Sequence, residues 1–354
     1  MIVLVYTPLL NAQVNNQTLA ILVNKNDPES VEIAEYYQKK RLIPESHIIY
    51  LNFKAQTDEL TEAEFRKIEN QLSEKIGENI QAYALAWRKP WRVDCMSITS
   101  AFSLGYSEEF CATGCKATRP VKYFNSRSRQ PYTDFKIRPS MMLSAGNVEK
   151  VKKLIDKGVS ADFTRPDGTA YLLSTSDKNR NVRAVFYNRI KNIFSWVLNV
   201  DVLNANAIKN KTDVLFYFTG HKKVKWVDNN AYLPGAIADH LTSGGGRLFK
   251  GRQMSILNWI DAGVTGSYGA VVEPCNFIQK FPNPEVVIQK YLSGNTLIEA
   301  YWKSVQMPGQ GVFVGEPLAS PYLNCKLMSS GRGYRFLPAS PEINFVERKY
   351  KNCI

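Results

Sequence analysis

The stretch "DVLFYFTGHKK" (213–223) carries a strand-length apolar run into a histidine through a Thr-Gly pair that lets the backbone turn. A later run, "YGAVVE" (268–273), leads in the same way to Cys275. A cysteine and a histidine at neighbouring strand ends can act as nucleophile and base. The thiolate attacks, and the imidazole takes the thiol proton or holds the ion pair. Such residues need only be neighbours in space, so their separation along the chain neither establishes nor excludes a pair. The same residues also fit plainer roles, His221 as a polar strand end and Cys275 as a small buried hydrophobe.

The elements that must position these residues alternate along the chain. Strands are expected at 19–24, 47–53, 81–88, 169–175, 213–219, 268–273 and 311–315. Helices are expected at 27–41, 61–76, 182–199, 252–263 and 284–305, the last broken at Ser293-Gly294. Val31, Ile33, Ala34 and Tyr37 share one helical face, with Pro28 in the first turn. Thr61 followed by Glu64 predicts a capping box. This alternation argues for an α/β fold with a mostly parallel central sheet flanked by helices. The expected division is an apolar lead-in or remnant signal (1–17), a first part of the α/β domain (18–88) and an inserted irregular subdomain (89–145). A second part carrying the His/Cys candidates (146–322) and a polar, irregular tail (323–354) complete it.

Ligands of open α/β sheets bind outside the carboxyl ends of the strands. Asn24, Asn26 and Asp27 follow the first strand, Asp177 the strand at 169–175, and Glu273, Pro274 and Cys275 the strand at 268–273. If these strands are parallel, His221 and Cys275 emerge at one edge. Asp177 could receive a basic substrate group, although an Asp before "KNRNVR" also suits a helix N-cap. Asp228 or Glu273 could orient His221. "LTSGGGRL" (241–248) reads as a helix stop without P-loop spacing, which places His240 on that helix; His47 opens a strand. Of the six cysteines, Cys111 and Cys115 in "CATGC" lie near Cys95. A disulfide, a local metal clip or free thiols all fit there. No C-x-x-C pair occurs, and nothing calls for a cofactor or a bound metal.

The block "DVLFYFTGH" resembles the strand and Thr-Gly-His segment of gingipain-type cysteine peptidases, a branch of the caspase-like superfamily. "GVFVGEPLASP" (311–321) is similar to the Gly-Asp-Pro segment closing that catalytic domain, with Glu316 where Asp is usual. The order of His221 and Cys275 matches. More extensively, over most of 18–322, the chain resembles an uncharacterised bacterial protein family with an opening like "VNKNDPESVEIAEYY", a central "RPSMML" and an ending like "GVTGSYGAVVEPC…FPNP…YLSGNTLIEAYWKSV". That family brings no established activity. The peptidase resemblance implies a caspase-like three-layer sandwich, with Cys275 as nucleophile, His221 as base and backbone amides near 220–222 facing the oxyanion. The sequence departs from it at Lys222, where peptidases of this type have Gly, and at Pro274 and Asn276 around the cysteine. Lys222 alters the approach of substrate, while its charge would favour a thiolate.

Two readings follow. One is a thiol hydrolase acting on a peptide or protein substrate, with Cys275 and His221 catalytic and Asp177, Lys222, Asn24, Asp27 and Glu273 lining the substrate site. The other is a binding protein on the same fold, without catalysis. The net charge of +13 over 354 residues suits an anionic polymer, an envelope component or an acidic partner. The basic residues are scattered and no nuclease-like carboxylate cluster stands beside them, which sets a nucleic-acid enzyme third. No stretch reaches the ~18 apolar residues of a membrane span. The apolar opening lacks a basic n-region, but its length tips the expectation towards export over the cytoplasm. The oligomeric state is left open.

Overall fold

The computed structural model describes residues 13–338, apart from 113 and 332. Most of the expected lead-in at 1–17, and the tail from 339 onward with Cys353, lie outside the described residues.

In chain order the first part comprises β1 (Leu19–Asn24), α1 (Pro28–Arg41), β2 (Ile48–Leu51), β3 (Glu59–Leu60), α2 (Glu62–Ser73) and β4 (Ala82–Leu85). It continues with β5 (Arg92–Val93), β6 (Met96–Ser97), α3 (Ile98–Leu104), α4 (Pro131–Phe135), β7 (Ser140–Met142) and α5 (Val148–Ala161). Then come β8 (Thr169–Ser174), α6 (Tyr187–Phe194), β9 (Asn199–Asn204), β10 (Val214–Thr219) and β11 (Tyr232–His240). Next are α7 (Leu257–Asp261), β12 (Gly266–Ala270), α8 (Pro284–Leu292), α9 (Leu297–Trp302) and β13 (Gly311–Gly315). A hairpin of β14 (Cys325–Ser330) and β15 (Gly333–Pro338) ends the described chain, where an irregular tail was expected.

Ten strands form one sheet in the order β2-β1-β4-β7-β13-β12-β11-β10-β8-β9, flanked by helices, so the α/β class and the mostly parallel sheet are as the alternation predicts. Every neighbouring pair is parallel except β12 and β13. The strand direction therefore reverses once, and the five strands from β2 to β13 run against the five from β12 to β9. Parallel strands covered on both faces read as unbroken apolar runs. "VLFYFT" is such a run, and all of β10 is buried.

Local sequence explains the flanking helices. Asp27 accepts the amide of Glu29 at the start of α1, Pro28 occupies its first turn, and Lys39, Lys40 and Arg41 meet the negative end of the dipole. Ile33, Ala34 and Tyr37 are buried against the sheet, whereas Val31 is only partly so. The capping box at Thr61 and Glu64 is present.

Several expectations change. The helix over 182–199 is a 3-10 turn (Asn181–Phe186) followed by the short α6, and the polar-flanked "NVDVLN" beyond it is strand β9. "YLPGAIADH" is strand β11, not a helix. Its inner half is buried throughout, so it shows no alternation, and its alanines favour a helical reading. The helix over 252–263 shrinks to α7. Within 89–145, β7 joins the central sheet between β4 and β13. Among the described residues, no helix is long and apolar enough to cross a membrane.

Candidate functional site at the carboxyl edge of strands β8 to β12

β8, β10, β11 and β12 run in one direction, so Asp177, His221, Glu273 and Cys275 come out at a common edge. A cleft of about 380 Å³ opens there, lined by Cys115, Arg180, Thr242, Ser243, Glu273 and Cys275 among others. β1 belongs to the half that runs the opposite way, and Asn24 and Asp27 build the turn into α1 instead. The Asn24 amide donates to Ser30 Oγ (2.9 Å), Asn24 Oδ1 accepts the Asn26 amide (3.2 Å), and Gln56 Nε2 donates to Asp27 (3.3 Å). Burial raises the pKa of Asp27 above its ordinary value.

The sulfur of Cys275 is bonded to Cys115, with the two Cα atoms 5.4 Å apart. While that bond stands, Cys275 has neither a thiol proton to give nor a thiolate to attack with. A second disulfide joins Cys95 and Cys111, so the local pairing of Cys111 with Cys115 does not form; Cys325 is disulfide-bonded as well. Cys275 holds a left-handed backbone conformation (φ 52°), and its amide donates to Glu273 Oε1 (2.9 Å). Behind the bridge, Lys280 Nζ donates to Lys116 O (2.6 Å) and Gln310 Oε1 (2.7 Å), and burial pushes its pKa down to about 8.

His221 is half-buried, with Nδ1 3.0 Å from the carbonyl oxygen of Lys223. Among the described residues no carboxylate bonds to its ring, and it makes no hydrogen bond to Cys275. β11 separates β10 from β12, so the two strands that deliver His221 and Cys275 are two inter-strand spacings apart, about 10 Å. Asp177 is neither a cap nor an open acceptor. Its carboxylate takes Nη1 of Arg180 (3.0 Å), and Arg180 Nε donates to Thr242 Oγ1 (3.0 Å). Asp228 is exposed in the 3-10 turn Val227–Asn229.

Misreading β11 as a helix hid the centre of the edge. His240 ends that strand and Thr242 and Ser243 follow it, and the glycine run after an apolar stretch was the signal for it. Trp259 Nε1 donates to His240 Nδ1 (2.9 Å), which leaves Nε2 to donate to Met254 O (3.0 Å). Burial pushes the pKa of His240 down to about 4, so the ring is neutral. The Met254 amide donates to Lys222 O (3.2 Å), and Gln253 Oε1 accepts from Thr242 Oγ1 and the Gly244 amide, both at 2.7 Å. Residues 253–254 thereby stitch the loop after β10 to the end of β11. The glycine run lies directly on β12: a Cβ on Gly246 would fall 2.3 Å from the carbonyl oxygen of Gly269. Ser243 lines the cleft, and its hydroxyl has no hydrogen-bond partner among the described residues. Lys178, Lys222, Lys223, Lys225 and Arg252 are exposed on the loops around this edge and form no ion pair among the described residues.

No protein-family model and no curated protein sequence matches the chain. A solved structure described as a protease is similar over 90% of this chain and 82% of its own, with 9% identity and a TM-score of 0.48.

Proposed function

We propose that the chain is a binding protein that holds an anionic polymer at the carboxyl edge of β8 to β12. The observation that carries this reading is a contrast within the edge: its cysteine is occupied by Cys115, while five exposed cations around it have no carboxylate partner among the described residues. Arg180, Ser243, Asn179 and Asn276 supply donors inside the cleft, and the lysines of the 222–225 loop supply the field that draws a polyanion in. The disulfides fit an oxidising compartment, which agrees with the expectation of export. The test is titration of labelled dextran sulfate, with neutral dextran as control. The wild type should bind with an affinity that falls as salt rises. Lys222→Glu with Lys223→Glu should weaken binding at least about tenfold, since each reversal replaces attraction with repulsion. Binding that ignores both salt and charge reversal would refute the reading.

A second reading keeps the thiol hydrolase. Its support is the left-handed backbone at Cys275, since such conformations concentrate at functional sites. Reduction of the bridge by a dithiol would give two thiols and an oxidised dithiol, leaving Cys275 free to attack with His221 as its base. Under this reading Cys115→Ala hydrolyses a peptide library and is labelled by a thiol-directed probe at Cys275. An inert Cys115→Ala protein removes it.

A further inference from the structure

The two edges of the ten-stranded sheet are treated differently. At the β2 edge, side chains of the α2 region cap the outward backbone groups: Lys75 Nζ donates to Tyr50 O (2.8 Å), Gln71 Oε1 accepts the Asn52 amide (2.9 Å), and Gln71 Nε2 donates to Asn52 O (3.2 Å). At the other edge, β9 pairs with β8 alone among the described residues. The Ala205 amide donates to Ser174 O (3.1 Å), so residues 201 and 203, in step with 205, also turn their backbone groups towards β8. Val200, Val202 and Asn204 therefore point their N–H and C=O groups outward. No described residue bonds to them. An open strand edge is a template for another extended chain, and proteins ordinarily blunt it.

The surroundings of β9 indicate what such a chain would be. Trp196, just ahead of the strand, is 73% exposed, as is Val185 on the turn before α6. Lys191 on α6 and Lys209 beyond the strand are exposed and form no ion pair among the described residues. Lys211 lies over the ring of Tyr171, which is in register with Asp201. The strand's own single carboxylate, Asp201, is outnumbered by these cations. A second copy of the chain would bring another +13 to the contact and be repelled.

We propose that β9 is a docking edge for an extended acidic segment of a partner polypeptide, which adds an eleventh strand to the sheet and rests an apolar side chain on Trp196. This surface is separate from the cleft of β8 to β12, and the proposal stands whether or not that cleft binds a polyanion.

The test uses a fluorescein-labelled (Glu-Val)4 peptide and the full chain. Wild type should bind it, and hydrogen exchange should slow at the amides of Val200, Val202 and Asn204. Val202→Pro removes one outward donor at a position where an edge strand tolerates proline. It should bind at least tenfold more weakly at an unchanged melting temperature. Lys222→Glu with Lys223→Glu should leave peptide binding intact, which separates this edge from the cleft. Should Val202→Pro fail to fold, the exchange pattern of the wild type decides alone. Equal binding of (Lys-Val)4, unchanged exchange at the three amides, or a wild-type dimer that Val202→Pro turns into a monomer would each overturn the proposal.

Discussion

The two oppositely running halves of the sheet spend their polar residues in different ways. In the half from β2 to β13, the groups at the carboxyl ends of the strands bind one another. Arg88 holds Glu29 and the carbonyls of Ala145 and Gly146, Asp58 holds Lys89 and Lys250, and Asp27 caps α1. In the half from β12 to β9, the charged pair Arg183–Asp239 is sunk beneath the edge, and Lys178, Lys222, Lys223, Lys225 and Arg252 above it form no ion pair among the described residues. The first half holds its charged groups in ion pairs and a helix cap. The second keeps exposed donors over a rigid base, the arrangement a ligand site needs.

The sharpest way to break this comparison is through that base. Arg183 and Asp239 are each 1% exposed, their charged groups are 2.5 Å apart, and Arg183 also donates to Thr219 O (2.9 Å). Arg183→Ala would strand a buried carboxylate and should cost roughly 3–5 kcal/mol. The pair Arg88–Glu29 is partly exposed, and Arg88→Ala should cost about 1 kcal/mol or less for the ion pair itself. Urea unfolding of both variants measures the gap. Equal losses would mean that the halves do not differ in how their charges are held.

A smaller effect is a pH dependence confined to the second half. His240 is neutral and buried, with a folded pKa of about 4 against an ordinary value of 6.5. Between these values the unfolded chain binds more protons than the folded one. The contribution of His240 is thus fully present above pH 6.5 and is lost as pH falls towards 4, by up to about 3 kcal/mol. His240→Gln, which can still donate to Met254 O, should remove this portion of the acid sensitivity. An unaltered stability–pH profile in that variant would count against the histidine as its source.

How far the sequence disclosed this edge depended on how each strand is buried. β1, β8, β10 and β13 were legible because short apolar runs between helical patterns have one good reading. β11 and β9 were not. β11 is alanine-rich and buried without alternation, and β9 alternates weakly between polar ends. Losing β11 had a direct consequence: His221 and Cys275 were expected at neighbouring strand ends, whereas β11, ending in His240 and leading to Thr242 and Ser243, stands between theirs. The pairing of Cys275 with Cys115, 160 residues earlier, was illegible for another reason, since disulfide partners are chosen by the fold and not by local spacing. The candidates Asn24 and Asp27 were misgrouped because the single antiparallel step between β12 and β13 leaves no mark in either strand's composition.

The smallest effect tests whether the first half can be weakened without touching the second. Thr61 accepts the Glu64 amide (3.3 Å), and Glu64 Oε2 accepts the Thr61 amide (2.8 Å) and hydroxyl (2.9 Å). Thr61→Ala removes one half of this box and should cost about 1 kcal/mol. The bond from the Thr61 amide lowers the pKa of Glu64, so the wild-type cap contributes above the carboxylate's ordinary value of 4.5 and fades as pH falls through the lowered one. The loss caused by Thr61→Ala should therefore shrink in acid, where protonation has already weakened the cap. Dextran sulfate binding should be unchanged at neutral pH, because α2 shares no strand with the β8–β12 edge. A Thr61→Ala protein that folds but binds the polyanion several-fold more weakly would show that the two halves are coupled, and that the cleft depends on more than its own strands.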